Sequence, residues 1–182
     1  MVGKYLNRYR IETTRLKHYD YGKSGAYFIT ICTKSGAHHF GKIDSMCKMQ
    51  YSPIGISVRD CWHIIPTHFS FVHLGEYVVM PNHIHGILIF DKKDGDTKSC
   101  VSTDTQNLLN PAGNRFGPQS RNLASVVRGF KIGVTNYARK NTDIDTVWQS
   151  RYHDRVIRNE FELARITEYI KANPKNWVFR NS

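Results

Sequence analysis

The stretch Tyr77–Phe90, reading YVVMPNHIHGILIF, constrains the chain more than any other part of it. Two apolar runs rich in β-branched and aromatic residues flank the tight connection Met80-Pro81-Asn82, so two strands are expected to meet there. Just past the connection stand His83 and His85. Alternate residues of a strand share one face, and at about 3.3 Å rise per residue two such positions lie about 6.6 Å apart at their Cα atoms. Both imidazoles can then reach one metal ion. On this reading Ile84, Ile87 and Ile89 pack on the opposite face while the histidines look into an opening. Two ordinary imidazoles, each satisfied by a backbone group or a carboxylate, fit the same spacing, so the pattern alone leaves both explanations open.

The block Met80-Pro81-Asn82-His83-Ile84-His85-Gly86-Ile87 resembles the His-hydrophobe-His signature of the HUH nucleases, in the form carried by the REP-associated tyrosine transposases, which belong with the insertion-sequence-200-like transposases. The run from Val147 to Glu160 and the element Glu168-Tyr169-Ile170-Lys171-Ala172-Asn173-Pro174 also resemble this family, so the likeness covers nearly the whole chain. It implies cleavage of single-stranded DNA by a tyrosine nucleophile, helped by a divalent metal on the histidine pair. The family nucleophile falls on Tyr169. The polar position four residues later, able to complete the metal site, falls on Asn173.

Residues four apart share a helix face, which lets Tyr169 and Asn173 address the same phosphate, and Glu162, seven residues earlier, is on that side as well. A free phenol has a pKa of about 10, so attack at neutral pH needs a polarised phosphate or a base. Histidine and amide ligands with open water positions suit Mg²⁺ or Mn²⁺ better than a closed zinc cage. Of the ten tyrosines, Tyr137 is the main rival nucleophile, but it sits on the apolar stripe of its helix, and Tyr152 near the last strand reads as structural. His153-Asp154-Arg155 departs from the family, whose members often carry an acidic residue followed by histidine there.

Taken in order, the chain reads as one domain over 1–182. Residues 1–24 form a basic segment in which Arg8, Arg10 and Arg15 alternate with tyrosines, suited to phosphate contact and base stacking or to a solvated tail. Ala26–Thr33 reads as a buried strand. Ser52-Pro53 opens a helix with Ile54, Val58, Cys61, Trp62 and Ile65 on one side, and Pro66 is expected to stop it. Val72–Val79 and Ile84–Phe90 follow as strands, then a long polar loop over 92–120. From Arg121, Leu123, Val126, Val127, Phe130, Val134 and Tyr137 mark a second core helix, whose outer face gathers Arg121, Arg128 and Arg139 for solvent or phosphate. A short strand region at Val147-Trp148-Gln149 and Tyr152–Arg158 completes the sheet. A last helix opens near Asn159, with Glu162 as in a capping box, and is expected to end at Pro174. The order implies an α+β, ferredoxin-like βαββαβ fold with a central antiparallel sheet, helices on one face, and a C-terminal helix carrying the tyrosine.

Lysine and arginine total 26 against 15 acidic residues, a formal charge of +11, which favours a polyanionic partner. Single-stranded or hairpin DNA is expected, with a homodimer as an option. No apolar run has the roughly 20 residues a membrane span needs, and the four cysteines show no Cys-x-x-Cys pairing, so a cytoplasmic protein without a membrane partner is expected. The function expected is a metal-dependent DNA transesterase with a 5′-phosphotyrosine intermediate. The alternatives are a replication-initiator or relaxase-type nickase and a DNA-binding regulator that does not cleave.

Overall fold

The computed structural model describes residues 4–5, 8–9, 20–92 and 121–181, with side chains over 20–92 and 121–179. Arg10, Arg15 and most of the polar loop lie outside the described residues, and of Arg8 only the backbone is described. Strands β1 (Lys4–Tyr5) and β2 (Arg8–Tyr9) pair with each other. Then come β3 (Gly25–Cys32), a 3₁₀ turn at Lys34–Gly36, and the hairpin of β4 (Gly41–Ile43) and β5 (Met49–Tyr51). Helices α1 (Pro53–His63) and α2 (Ile65–His68) precede β6 (Val72–Met80) and β7 (His83–Phe90). Helix α3 (Leu123–Asn141), strand β8 (His153–Ile157) and helix α4 (Glu160–Asn181) close the order.

The main sheet runs β6-β7-β3-β8, with every pairing antiparallel. With the helices between its strands this is the expected βαββαβ arrangement, the first and third strands of the unit adjacent at its centre. One face of the sheet presents Tyr27, Ile29 and Ile31 of β3 and Ile84, Leu88 and Phe90 of β7 to a core shared with Val58 and Trp62 of α1 and Val126, Phe130 and Val134 of α3. Gly86 lies on this face too, where Trp62 comes so close that a Cβ on residue 86 would stand 2.3 Å from Cζ2 of the indole. The other face carries a smaller cluster in which Ile87, with Phe28, Val78 and Ile89, packs against Ile166 and Ile170 of α4.

That division corrects one expectation. Ile87 and Ile89 do not oppose the histidines. They share their parity along β7 and their face, because side chains alternate with period two, and of the three isoleucines only Ile84 points the other way.

The helices begin where the sequence says they should. Ser52 accepts from Gly55 N–H at 3.0 Å with Pro53 in the first turn, and Asn122 and Ser125 form a reciprocal capping box at α3. Two expected ends are corrected. Pro66 does not finish the helical path, because a proline in a first turn has no N–H bond to lose, and it starts the short α2. Pro174 lies inside α4, which continues to Asn181. The turn beyond it is held by Trp177, whose ring lies 6.0 Å from His83 and 5.5 Å from His38. Arg121 also differs from expectation: it precedes the cap of α3 with φ +64°, and its guanidinium carbon sits 5.2 Å from the Phe71 ring centre, off the face shared by Arg128 and Arg139.

Candidate catalytic centre

β7 delivers both histidines to the α4 side of the sheet, their ring centres 4.6 Å apart. Each ring is held at Nδ1: His83 by the Asn82 Oδ1 at 2.7 Å, and His85 by the Thr30 hydroxyl at 2.8 Å from the neighbouring β3. Phe28, two residues before Thr30 on the same face, stacks on His85 at 5.4 Å. This apolar shelter has an electrostatic result. Burial pushes the pKa of His83 down to about 4 and that of His85 to about 3, the latter also opposed by charge on its neighbour. Both rings are therefore neutral at pH 7 and free to offer lone pairs.

α4 covers the pair. Tyr169 reaches down to place its hydroxyl 3.4 Å from His85 Nε2, with its ring 5.3 Å from that imidazole and edge-on to Phe28. The residue is still 47% exposed, so a strand of polyanion can approach its oxygen. Two turns later Trp177 touches His83. Asn173 stands one turn from each, on the same helix face, and is only 8% exposed. The structure thus brings His83, His85 and Tyr169 together, with Asn173 buried one turn along α4 from the tyrosine. Two neutral imidazoles and a buried amide fit a divalent ion that keeps open positions for water and phosphate. Among the described residues no group of three or more His, Cys, Asp or Glu is gathered.

Glu162 does not join them. Its carboxylate accepts from Arg158 N–H at 3.0 Å and forms an ion pair with Arg155 of β8, and these partners hold its pKa below the usual carboxylate range. Its own N–H goes to Asn159 Oδ1 at 2.8 Å, so it closes the start of α4. Tyr137 and Tyr152 pack against the main core, as expected of structural tyrosines. Arg128 and Arg139 lie on the far side of the sheet, in a groove of about 570 Å³ between α3 and residues 145–152 that Lys131 also lines. Arg139 Nε donates to the Asp145 carbonyl at 3.1 Å, and burial pushes the Lys131 pKa down.

Sequence reasoning passed over Thr30, Phe28 and Trp177. Phe28 and Thr30 were legible as strand residues of one parity, but their meeting with His85 depends on the register of β3 against β7, Thr30 opposite His85. Trp177 continues the Tyr169–Asn173 spacing by one more turn, a signal that Pro174, which reads as a stop, hides.

No family model matches the chain. An uncharacterized protein of Haemophilus influenzae (strain ATCC 51907 / DSM 11121 / KW20 / Rd) is 41% identical over 167 residues, spanning 90% of this chain and 87% of that one. The two belong to one family. Among solved structures, a REP-associated tyrosine transposase bound to a REP hairpin matches 92% of this chain and 74% of its own, with a TM-score of 0.59 at 18% identity. The chain has the tyrosine transposase fold. Within that fold, none of the described helices is long and apolar enough to cross a membrane.

Proposed function

We propose that the chain is a metal-dependent single-strand DNA transesterase of the HUH, transposase type, which cleaves and rejoins DNA near hairpins or palindromic repeats. The observation that carries this reading is the hydroxyl of the half-exposed Tyr169, 3.4 Å from His85 Nε2, above two neutral histidines on one strand face. His83, His85 and Asn173 would hold Mg²⁺ or Mn²⁺, which when bound draws charge from a phosphate oxygen and makes the phosphorus easier to attack. Tyr169 Oη attacks that phosphorus. The P–O3′ bond breaks, a 5′-phosphotyrosine forms, and the departing 3′ oxygen takes up a proton equivalent to the one the phenol gives up. One phosphodiester replaces another, so rejoining needs no nucleotide cofactor. Phe28 and Trp177 keep bulk water from the rings beneath.

The DNA is held by charge. Arg128 and Arg139 line the groove on the far side of the sheet, Arg121 lies beside Phe71 at the entrance to α3, and Arg8, Arg10 and Arg15 belong to the basic N-terminal segment. The hairpin bound by the transposase of like fold supports a hairpin as this chain's partner. The test is incubation with single-stranded hairpin oligonucleotides and Mn²⁺, followed by a denaturing gel. The wild-type protein is expected to carry a covalent DNA adduct, and Tyr169→Phe none, with DNA affinity kept within about twofold because the ring still packs. His83→Ala is expected to cleave at least about tenfold more slowly and to recover in part as Mn²⁺ is raised. An adduct that survives Tyr169→Phe would move the nucleophile elsewhere. No wild-type adduct on any hairpin would favour the DNA-binding regulator.

A further inference from the structure

Two side chains that are neither metal donors nor nucleophile stand at Nδ1 of the histidine pair, Asn82 and Thr30. Asn82 Nδ2 donates to the Gly36 carbonyl at 3.2 Å. A carbonyl oxygen only accepts, so this contact fixes the orientation of the Asn82 amide. Its Oδ1 is then the atom 2.7 Å from His83 Nδ1. An amide oxygen also only accepts, so the proton of the neutral ring sits on Nδ1 and the lone pair on Nε2. The Asn82 backbone is fixed as well, since its carbonyl takes the Thr33 N–H at 2.8 Å, while the Thr33 hydroxyl lies between the Ala37 and Asn82 carbonyls at 2.8 and 3.0 Å. Gly36 presents its own carbonyl from a left-handed turn, φ +71°, which glycine adopts without strain.

His85 is served from the adjacent strand. Thr30 is its register partner on β3, and its hydroxyl stands 2.8 Å from Nδ1. A hydroxyl both donates and accepts, so this contact alone is compatible with either tautomer; when Thr30 accepts from Nδ1–H, Nε2 is bare and can take the hydrogen of the Tyr169 hydroxyl. Among the described residues each ring thus has one hydrogen-bond partner at Nδ1, and His85 has the Tyr169 hydroxyl at Nε2.

We propose that Asn82 and Thr30 are positioning residues, which hold His83 and His85 as Nδ1–H tautomers so that both Nε2 lone pairs face α4 and converge on one divalent ion. The use of the lone pairs rests on the transesterase reading, whereas the tautomers do not. Such partners behind a metal-binding histidine fix its ring and strengthen it as a ligand, and their loss typically costs about 10–100-fold in metal affinity.

The decisive experiment is long-range ¹H–¹⁵N NMR of the histidine rings in the full chain at neutral pH, with chelator and without DNA. Both rings are expected as Nδ1–H in the wild-type protein. Thr30→Val keeps the β-branched shape of the strand and should release the tautomer of His85 alone. Asn82→Ala should release that of His83 alone, and Thr30→Ser should behave as wild type. Direct Mn²⁺ titration should show the dissociation constant raised at least about tenfold in the Val and Ala variants and unchanged in the Ser variant. A wild-type ring protonated at Nε2, or tautomers unmoved by both Thr30→Val and Asn82→Ala, would overturn the proposal. Should Asn82→Ala fail to fold, Thr30→Val decides. Nδ1–H rings in a protein that forms no DNA adduct would overturn the transesterase reading and leave this one standing, and Nε2–H rings in a protein that does form the adduct would do the reverse.

Discussion

A histidine becomes a useful neutral ligand when the protein makes its charged form expensive, and His83 and His85 are in that position. Their folded pKa values, about 4 and about 3, lie below the ordinary value of 6.5. As pH falls below 6.5 the unfolded chain takes up protons that the folded chain refuses, so stability is full above that value and is lost as pH drops toward the folded values. His39, also pushed down by burial, acts with the same sign. The loss at pH 5 is expected to reach roughly 2 kcal/mol for each ring of the pair, from 1.36 kcal/mol per pKa unit. Urea unfolding in chelator at pH 7.5 and pH 5 checks it. In the His83→Ala, His85→Ala double variant the difference should shrink, and an unchanged difference would assign the acid sensitivity to other groups. At this scale the sequence was informative about the pair itself, because a spacing of two on a strand leaves little freedom. It was silent about Thr30, whose meeting with His85 comes from strand register rather than from neighbouring residues.

Strand β7 works because its two faces differ. One face presents histidines and isoleucines to α4, and the other presents Ile84, Gly86, Leu88 and Phe90 to the helices α1 and α3. Gly86, on the second of these faces, lets the Trp62 indole lie against the backbone of the strand that carries the histidines. A methyl group there meets Trp62 Cζ2 at 2.3 Å and Cη2 at 2.5 Å, in a core where a fully buried indole has no room to retreat. Gly86→Ala is therefore expected to destabilise the fold by about 1–3 kcal/mol, measured as a lower urea midpoint with an unchanged m-value. Adding Trp62→Phe should return part of that loss, and if Gly86→Ala alone is neutral, the strand and helix have more play than this contact implies. The elements with apolar periods, β3, α1, β6, β7 and α3, were legible because each buries a face. The β4–β5 hairpin was not, since its strands have three residues each and bury none of them fully. The continuation of α4 past Pro174 was missed for a related reason: the local cost of a proline was visible, and the Trp177 contacts that offset it are tertiary.

Across the whole molecule, the histidine–tyrosine site and the α3 groove occupy opposite faces of one sheet, and β8 is an edge strand of that sheet. The exposed side chains along that edge include Arg151, Arg155 and Arg158, so a DNA strand leaving Tyr169 toward α3 would cross cations before reaching Arg128, Lys131 and Arg139. The charge of +11 was plain from composition, but its arrangement was not: helical spacing grouped Arg121 with Arg128 and Arg139, and the fold separates it because the helix starts two residues later. That difference gives the charge argument a sharper test than net charge alone. Binding of a single strand releases counterions, so the logarithm of the association constant should fall linearly with the logarithm of salt concentration, with a slope of about −0.7 for each phosphate neutralised. The double variant Arg128→Ala, Arg139→Ala should flatten that slope by about 1.4 if both arginines contact the backbone, while leaving Mn²⁺ affinity unchanged because neither is near the histidines. Arg121→Ala, beside Phe71, should change the slope independently of the pair. Fluorescence anisotropy with a labelled hairpin bearing a single-stranded tail, between about 50 and 200 mM salt, gives all three slopes. An unchanged slope in the double variant would assign the α3 groove to solvent and confine the DNA to the histidine face, and a wild-type slope near zero would remove nucleic acid as the partner.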